Sequence, residues 1–420
     1  MAEQTFHHQI ESTSPTRQRI MGIVFLLFGF VIWIVFANGI TPDHITAFDL
    51  NSGSVTNLPL WKFASQPVLF ALAIVSALVG GYQIARGFGR YTNWVLSVIV
   101  GLFVFAFLAW AAAGKSLNMA GLLSTTLSKS VPLTLAALSG VLAERAGIVN
   151  IAIEGMMLSG AFASALVASL TQNLWIGLIS GVIVGGLMAL LHGWLSIKYK
   201  VNQIVSGTVI NIFATGLTSY LSAKFLQVYQ ELNNPGTFSP IPIPLLSKIP
   251  IIGPILFENN IFVYAMFIFL IVLNVAIFNT RWGLRMRAVG EHPKAADTLG
   301  INVIRTRYIS TVLSGMMAGF GGAYFTLGSV GRFDEVMTAG RGFIGLAAMI
   351  FGNWTPYGSF GAGLLFGFAD SLASRLAILK IPIPSQFLLM APYIVTMVVL
   401  AGVIGRGHAP ASEGVPYEKE

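Results

Sequence analysis

The stretch IMGIVFLLFGFVIWIVFA, residues 20–37, carries no charged side chain. A helix of that length is close to the ~20 residues that cross the hydrocarbon of a bilayer. The apolar core of a signal peptide is shorter, roughly 7–15 residues, and is followed by a small-residue cleavage site. No good site follows Ala37, and Arg17 and Arg19 stand just before the run. The segment therefore reads as an uncleaved first membrane span. Residues 68–85 and 93–113 have the same character. Further apolar runs follow at 131–143, 148–170, 174–197, 203–223, 261–279, 308–327, 342–351, 358–379 and 385–404. The runs 131–143 and 342–351 are too short to cross alone and predict re-entrant or discontinuous helices. The expected fold class is all-α: a polytopic transmembrane helical bundle of about 10–12 spans, with short or broken helices among them.

Composition agrees with that reading. Hydrophobic residues make up 55% of the 420-residue chain and charged residues 10%, where a soluble domain carries roughly 25% charged. Mean hydropathy is +0.77. The 45 glycines lie among apolar residues, not in a polar tract. These figures exclude a soluble globular domain, a disordered chain and a disulfide scaffold. The apolar runs are continuous, which excludes the alternating strands of an outer-membrane barrel. With no cysteine there is no disulfide, iron–sulfur cluster or thiolate metal site. The net charge of +8 is spread between apolar runs, so the expected surroundings are a lipid bilayer and not nucleic acid.

Lys and Arg set the orientation. With the first residues inside and each run crossing once, fifteen of the 24 cations fall inside and seven outside, Arg332 and Arg341 among the latter. Lys129 and Arg375 stay unassigned. The bias puts both termini on the cytoplasmic side of a multi-pass protein. Two outside segments are long, and the second, 226–260, holds six of the 18 prolines. It cannot be regular helix throughout and is expected to lie as an extended cover on the outer surface. No internal repeat is evident, which speaks against inverted-repeat carriers. Glycine spacings such as Gly177, Gly181 and Gly185, and Gly315 and Gly319, fit close helix packing.

Chemistry-bearing patterns are few. Gly114, Lys115 and Ser116 resemble the end of a phosphate-binding loop, but Ala109 stands where that motif needs its first glycine. Any ATP must therefore bind another chain. No histidine pair has metal-ligand spacing beside a carboxylate, so no metal site is expected, and His192, the one histidine inside a run, is explained by a hydrogen bond at the inner interface. No nucleophile or catalytic cluster marks an enzyme. Asp370 and Arg375 are five apart and off one another's face, and no carboxylate-rich relay of the kind ion-driven carriers use is present.

Two stretches stand out. Residues 142–160 read LAERAGIVNIAIEGMMLSG. Glu144 and Arg145 are adjacent and can neutralise each other at the inner interface. Glu154 follows Asn150 by four residues, which places the two on one helical face. Asn202 and Asn211 add amides at the start of another run. Amides and a carboxylate along an aqueous path suit a neutral polar solute. Interhelical hydrogen bonding explains the same residues without any solute, and the sequence leaves both readings open. Residues 280–307 read TRWGLRMRAVGEHPKAADTLGINVIRTR. This basic inside loop predicts a short helix after Pro293 ended by Gly300. Ala295, Ala296 and Leu299 form a small apolar face that fits a groove on a cytoplasmic partner.

These two stretches resemble permease subunits of ABC importers for nucleosides, within the wider ribose and branched-chain amino-acid permease superfamily. The first is similar through Glu144, Arg145, Gly147, Asn150, Glu154, Gly155, Gly160 and Ala161. The second resembles the family's coupling loop through Arg287, Gly290, Ala295, Ala296, Gly300 and Ile301. Its Lys294 stands where the general importer motif has Glu, and the motif's Leu-Pro ending is absent. NQIVSGTVIN (202–211) and SGMMAGFGGAY (314–324) are similar as well, so the resemblance covers roughly 133–405.

The resemblance implies a non-catalytic permease core, 116–405, in the cytoplasmic (inner) membrane of a prokaryote. Residues 1–19 would be a cytoplasmic tail, 20–115 an N-terminal transmembrane extension and 406–420 a second cytoplasmic tail. It implies partners: P-loop ATPase subunits that use ATP and Mg, a second permease in a homo- or heterodimer, and an extracytoplasmic substrate-binding lipoprotein. The permease itself holds no cofactor. Coupling to the ATPase falls to Arg287, Gly290, Ala295, Ala296 and Gly300, and the translocation pathway to Glu144, Asn150, Glu154, Asn202 and Asn211. The solute is a small polar molecule, a nucleoside first. The alternative is an ion-coupled secondary transporter of a small polar solute.

Overall fold

Among the described residues the apolar runs fall mainly in helices, and where they differ from the expected spans the difference follows burial. The structure, a computed structural model, describes residues 15–53, 58–379, 390 and 408–419. The run 385–404 lies almost wholly outside the described residues. Nine described helices are long and apolar enough to cross a membrane. The chain divides into two compact units.

The first unit comprises α1 (Pro15–Val31, running on as a π turn through Ile32–Ala37), α2 (Ser65–Ala85) and α3 (Thr92–Ala111). Strands β1 (Ile45–Asp49), β2 (Trp61–Ala64) and β3 (Ser116–Asn118) form a small sheet in the order β2-β1-β3. At Gly29 an added Cβ would lie 3.0 Å from the Ala73 carbonyl, so the glycine is what lets α1 and α2 approach. The buried Thr46 hydroxyl bonds Ser65 Oγ at 2.7 Å and the Ala109 carbonyl at 2.8 Å, which ties β1 to α2 and α3. Gly114 has φ +70° and its N–H bonds the Ile45 carbonyl. Gly114-Lys115-Ser116 is thus the turn into β3.

The second unit runs through α4 (Met119–Glu144), α5 (Ile153–Thr171), α6 (Leu174–Gly193), α7 (Gln203–Leu221), α8 (Ile252–Leu256), α9 (Ile261–Asn279), α10 (Arg281–Glu291), α11 (Pro293–Thr298), α12 (Val303–Ala323), α13 (Arg341–Phe351) and α14 (Pro356–Ile378). The proline-rich segment before α9 is irregular, with short helical turns and one strand pair, β4 (Ile241–Pro242) with β5 (Glu258–Asn259). Helices α5, α6 and α12 pack tightest. A Cβ on Gly160 would sit 2.7 Å from Gly319 Cα and 3.1 Å from the Gly181 carbonyl, so the glycine spacings are where three backbones meet.

The run 131–143 is corrected by the structure. It is the second half of α4, a 26-residue helix that starts at Met119. Its first half looks too polar to span because it carries Ser124, Thr125, Thr126, Ser128, Lys129 and Ser130. Most of α4 faces protein, and Thr125, Thr126 and Ser130 return their hydroxyls to carbonyls of their own helix. Pro132 lies inside this helix and has no N–H for the Ser128 carbonyl four residues back. Tyr324 supplies the missing donor, its hydroxyl 2.8 Å from that oxygen. Tyr324→Phe should therefore orphan a buried carbonyl at a cost of about 1–3 kcal/mol. Pro132→Ala restores an N–H to Ser128, so the double variant should recover much of the loss. Thermal unfolding in detergent tests this, and losses that simply add would contradict it.

Candidate functional site

Helix α13 has eleven residues, too few to cross alone, as the short run 342–351 predicts. Each of its ends abuts a buried carboxylate, Glu154 at one and Glu144 at the other, and unpaired backbone groups at a helix end are costly. The 142–160 stretch serves both of them.

At the first end stands Glu154, in the first turn of α5 and 8% exposed. Its carboxylate accepts from Thr338 Oγ1 at 2.6 Å, Gly340 N at 2.8 Å and Gly342 N at 2.6 Å. A negative group here also complements the positive end of the helix dipole. Gly342 must be glycine, because a Cβ would lie 2.7 Å from Glu154 backbone atoms. The approach to α13 is held in an uncommon conformation, with positive φ at Val336, Ala339 and Gly340. For a β-branched residue such as Val336 that is a true outlier, sustained by its surroundings.

At the other end stand Glu144 and Arg145, which do not neutralise each other but take separate partners. The buried Glu144 carboxylate accepts from Trp354 Nε1 at 2.6 Å. Arg145 donates to the carbonyls of Trp354 (2.8 Å) and Asn353 (3.2 Å), both residues at positive φ. A cation on the carbonyls that follow a helix is the favourable sign. Burial lowers the Arg145 pKa, Arg287 lowers it further, and Glu291 raises it. Arg145 and Arg287 both lie over the Phe278 ring, 5.6 and 5.1 Å from its centroid.

The amides hold the same region. Residues 145–152 are not helical and α5 begins at Ile153, so Asn150 and Glu154 do not share a helical face, contrary to expectation. The glycine and the turn before α5 break the period. Asn150 Nδ2 donates to Ser314 Oγ on α12 at 2.9 Å. Asn211 accepts from Gly155 N at 2.8 Å and donates to the Ile151 carbonyl at 2.9 Å. Asn202 caps α7 through the N–H groups of Ile204 and Val205. His192 bonds Ser206 Oγ at 3.1 Å and the Val149 carbonyl at 2.9 Å, which joins α6, α7 and the 145–152 loop.

A charge cluster lies beside the start of α13. Arg341 is over the Phe325 ring and 3.9 Å from Asp370, whose other oxygen is 3.3 Å from Lys129. Arg341, counted above with the outer segments, thus begins the half-helix. Asp370 pairs across to α4 and α13, while Arg375 donates to Thr125 at 3.2 Å.

The basic 280–307 segment holds two helices, not one. α10 precedes α11, and a Cβ at Gly290 would collide with the Arg145 carbonyl, so the two singled-out stretches meet there. α11 is short but capped at both ends. His292 Nδ1 accepts from Ala295 N at 3.2 Å, and Pro293 is its first residue. At the far end Gly300 N bonds the Asp297 carbonyl and Ile301 N the Ala296 carbonyl, with Gly300 at φ +79°. That is a Schellman ending, which favours glycine. The expected apolar face is split. Ala296 is buried in a cluster with Val289, Val303, Ile301 and Tyr417, while Ala295 and Leu299 are exposed, Leu299 at 81%. Residues 293–299 make about two turns, and the inward stripe is a single residue wide.

Thr338, Trp354, Lys129 and the 408–419 segment were not picked out by sequence reasoning. The one signal for Lys129 was a cation with no side of the membrane to belong to.

Residues 122–404 match the family described as branched-chain amino acid transport system / permease component. The guanosine ABC transporter permease protein NupQ of Bacillus subtilis (strain 168) is 42% identical over 304 residues, 70% of this chain and 95% of that protein. The nucleoside ABC transporter permease protein NupC of Lactococcus lactis subsp. cremoris (strain MG1363) is 40% identical over 71% of this chain and 96% of its own length. A putative glucose ABC transporter permease protein, TsgC13 of Haloferax volcanii, is 34% identical over 61% of this chain and 78% of its own. No solved structure matches.

Proposed function

This chain belongs to the permease family of the branched-chain amino acid transport system, and from that premise we propose that it is the membrane-spanning subunit of an ATP-binding-cassette importer that moves nucleosides inward by alternating access. The observation that carries the substrate class is the likeness to the guanosine permease along nearly all of that protein. The geometry supports an uncharged solute. The carboxylates of Glu144 and Glu154 are engaged by protein donors, and Lys129, Asp370 and Arg341 sit together. A path walled by satisfied charges offers dipoles, not a counter-ion, to what passes.

In this reading the path runs along α13. Glu144, Asn150 and Glu154 frame it, and Asn202 and Asn211 hold α7 and the 145–152 loop in place. Interior half-helices are the places where transporters bind and gate solutes. Residues 116–405 are the transport core and 20–115 an added membrane segment. The basic end with α10 and α11 faces the cytoplasm of a prokaryotic cell, with both termini on that side. There Arg287, Gly290, Ala295, Ala296 and Gly300 shape the seat of a P-loop ATPase, which binds ATP and Mg. A second permease, identical or related, and an extracytoplasmic binding lipoprotein complete the assembly. Transport requires that the solute bind the outward- and inward-open states differently. The ion-coupled alternative is disfavoured, because the relatives are ABC permeases.

The test is uptake of labelled guanosine by cells that express the whole transport system. Uptake should stop on ATP depletion, survive a protonophore while ATP is maintained, and be competed by other nucleosides more strongly than by glucose or ribose. Uptake that survives ATP depletion and collapses with the proton gradient would sink the reading.

A further inference from the structure

Residues 408–419 lie across the basic end and touch the turn after α13, the 145–152 loop, α10, α11, α12 and the loop before α7. His408 N bonds Asn353 Oδ1 at 2.9 Å in the turn after α13. Ser412 N bonds the Gly290 carbonyl at 2.9 Å, and its hydroxyl the Glu291 carbonyl at 3.0 Å. Gly414 N bonds the Gly147 carbonyl at 3.2 Å. Arg307 of α12 donates to the Val415 carbonyl at 3.0 Å. Tyr417 packs on Val289, Ala296 and Val303, and Glu418 pairs with Lys200 in the loop before α7. The Glu413 carboxyl shares a hydrogen bond with the Glu144 carboxyl, the same group that accepts from Trp354. A hydrogen bond between two carboxyl groups needs one proton between them.

We propose that residues 408–419 are a strap that positions α10 and α11 against the bundle, closed by a proton-requiring latch between Glu413 and Glu144. This rests on the coupling role given above to α10 and α11. The strap explains why Ala296 is buried although α11 is too short to be stable alone: Tyr417 closes its inner side. It also explains a carboxylate placed against a carboxylate. The groups around the latch are Glu144 from α4, Trp354 from the turn after α13, and Arg307 from α12, which holds Val415 beside Tyr417. From α10, Arg287 and Glu291 act on Arg145.

The sign of the pH dependence follows. Burial raises the pKa of docked Glu413, against a lowering by the hydrogen bond with Glu144. The docked strap therefore holds its proton more tightly than a free one. Its contribution is complete below the ordinary glutamate value of about 4.3 and is lost as pH rises through the raised, docked value.

The chain has no cysteine, so one introduced thiol can be spin-labelled. Val415 is half exposed and its hydrogen bonds run through its backbone N–H and carbonyl, so Val415→Cys leaves those contacts intact. In the full-length chain in detergent, the label should be immobilised near the ordinary glutamate value of about pH 4.3 and mobile at the alkaline end of a titration, beyond the raised carboxyl. Adding Glu413→Gln should keep it immobilised at both, because an amide donates to Glu144 without a titrating proton. Adding Glu413→Ala should leave it mobile at both. A label at Ala295→Cys should gain mobility with Tyr417→Ala. The same mobility at both pH values in the Val415→Cys chain, or one pH response shared with Glu413→Gln, would overturn the latch. An Ala295 label indifferent to Tyr417→Ala would overturn the positioning of α11. Neither readout uses solute or ATPase, so the strap can fail while uptake stays nucleoside-specific and ATP-driven, and the reverse.

Discussion

Glu154→Ala is expected to leave the protein unable to accumulate as a folded, monodisperse species. The carboxylate satisfies three donors at the start of α13, and each orphaned donor costs about 1–3 kcal/mol. Their sum is comparable with the whole stability of a domain, about 5–15 kcal/mol. Glu154→Gln is the more informative change. Its remaining oxygen can keep Thr338 and Gly340, but its NH2 then faces the Gly342 N–H, donor against donor. A loss of about 2 kcal/mol follows, read as a lower unfolding temperature with folded protein still recovered. Thr338→Val removes only one donor and should cost less. Combined with Glu154→Gln it should fall short of additive, since both act on one cap. The measurement that decides is stability and uptake on the same preparations. A cap predicts that the two fall together. A normal unfolding temperature with uptake gone would instead make Glu154 a solute ligand.

This case shows what a linear reading can and cannot reach. Glu154 stood out because a carboxylate in an apolar run is rare, yet its partners lie 184–188 residues away and no local pattern points to them. The bounds of α9 match the apolar run 261–279, because that helix is apolar on all sides. The bounds of α4 do not match, because a helix wrapped in protein need not be apolar, and its Ser, Thr and Lys residues hide it from hydropathy. Gly300 was legible because a Schellman ending is local. Gly290 was legible only as a motif position, since its reason, contact with the Arg145 carbonyl, is tertiary. Residues 408–419 were invisible as a functional element because about half of their contacts are backbone bonds, which any polar stretch can offer, and the rest reach residues far away in the sequence.

The second large effect is expected at α11, and there it should spare the membrane core. Ala296 is 2% exposed between Val289, Val303 and Tyr417. A carboxylate placed there would be buried without a partner, which a protein avoids by expelling it at a cost of several kcal/mol. α11 has only six residues, held by two caps and the packing of Ala296, so Ala296→Asp should unseat that helix and not the bundle. Uptake should fall at least about tenfold, the equivalent of 1.4 kcal/mol, while the yield and size of the permease stay unchanged. Gly300 offers a matched pair of variants. An added Cβ meets nothing within 4 Å, so the demand for glycine is conformational and comes from φ +79°. Gly300→Val forces a β-branched residue into that region and should behave like Ala296→Asp. Gly300→Asn tolerates it and should retain most of the uptake. ATP hydrolysis by the copurified ATPase should then persist in the Val and Asp variants without driving transport. Equal uptake in Gly300→Val and Gly300→Asn would show that the ending of α11 does not carry force. Loss of both together with the folded bundle would place α11 in the stability of the core, not in the transmission between ATP and solute.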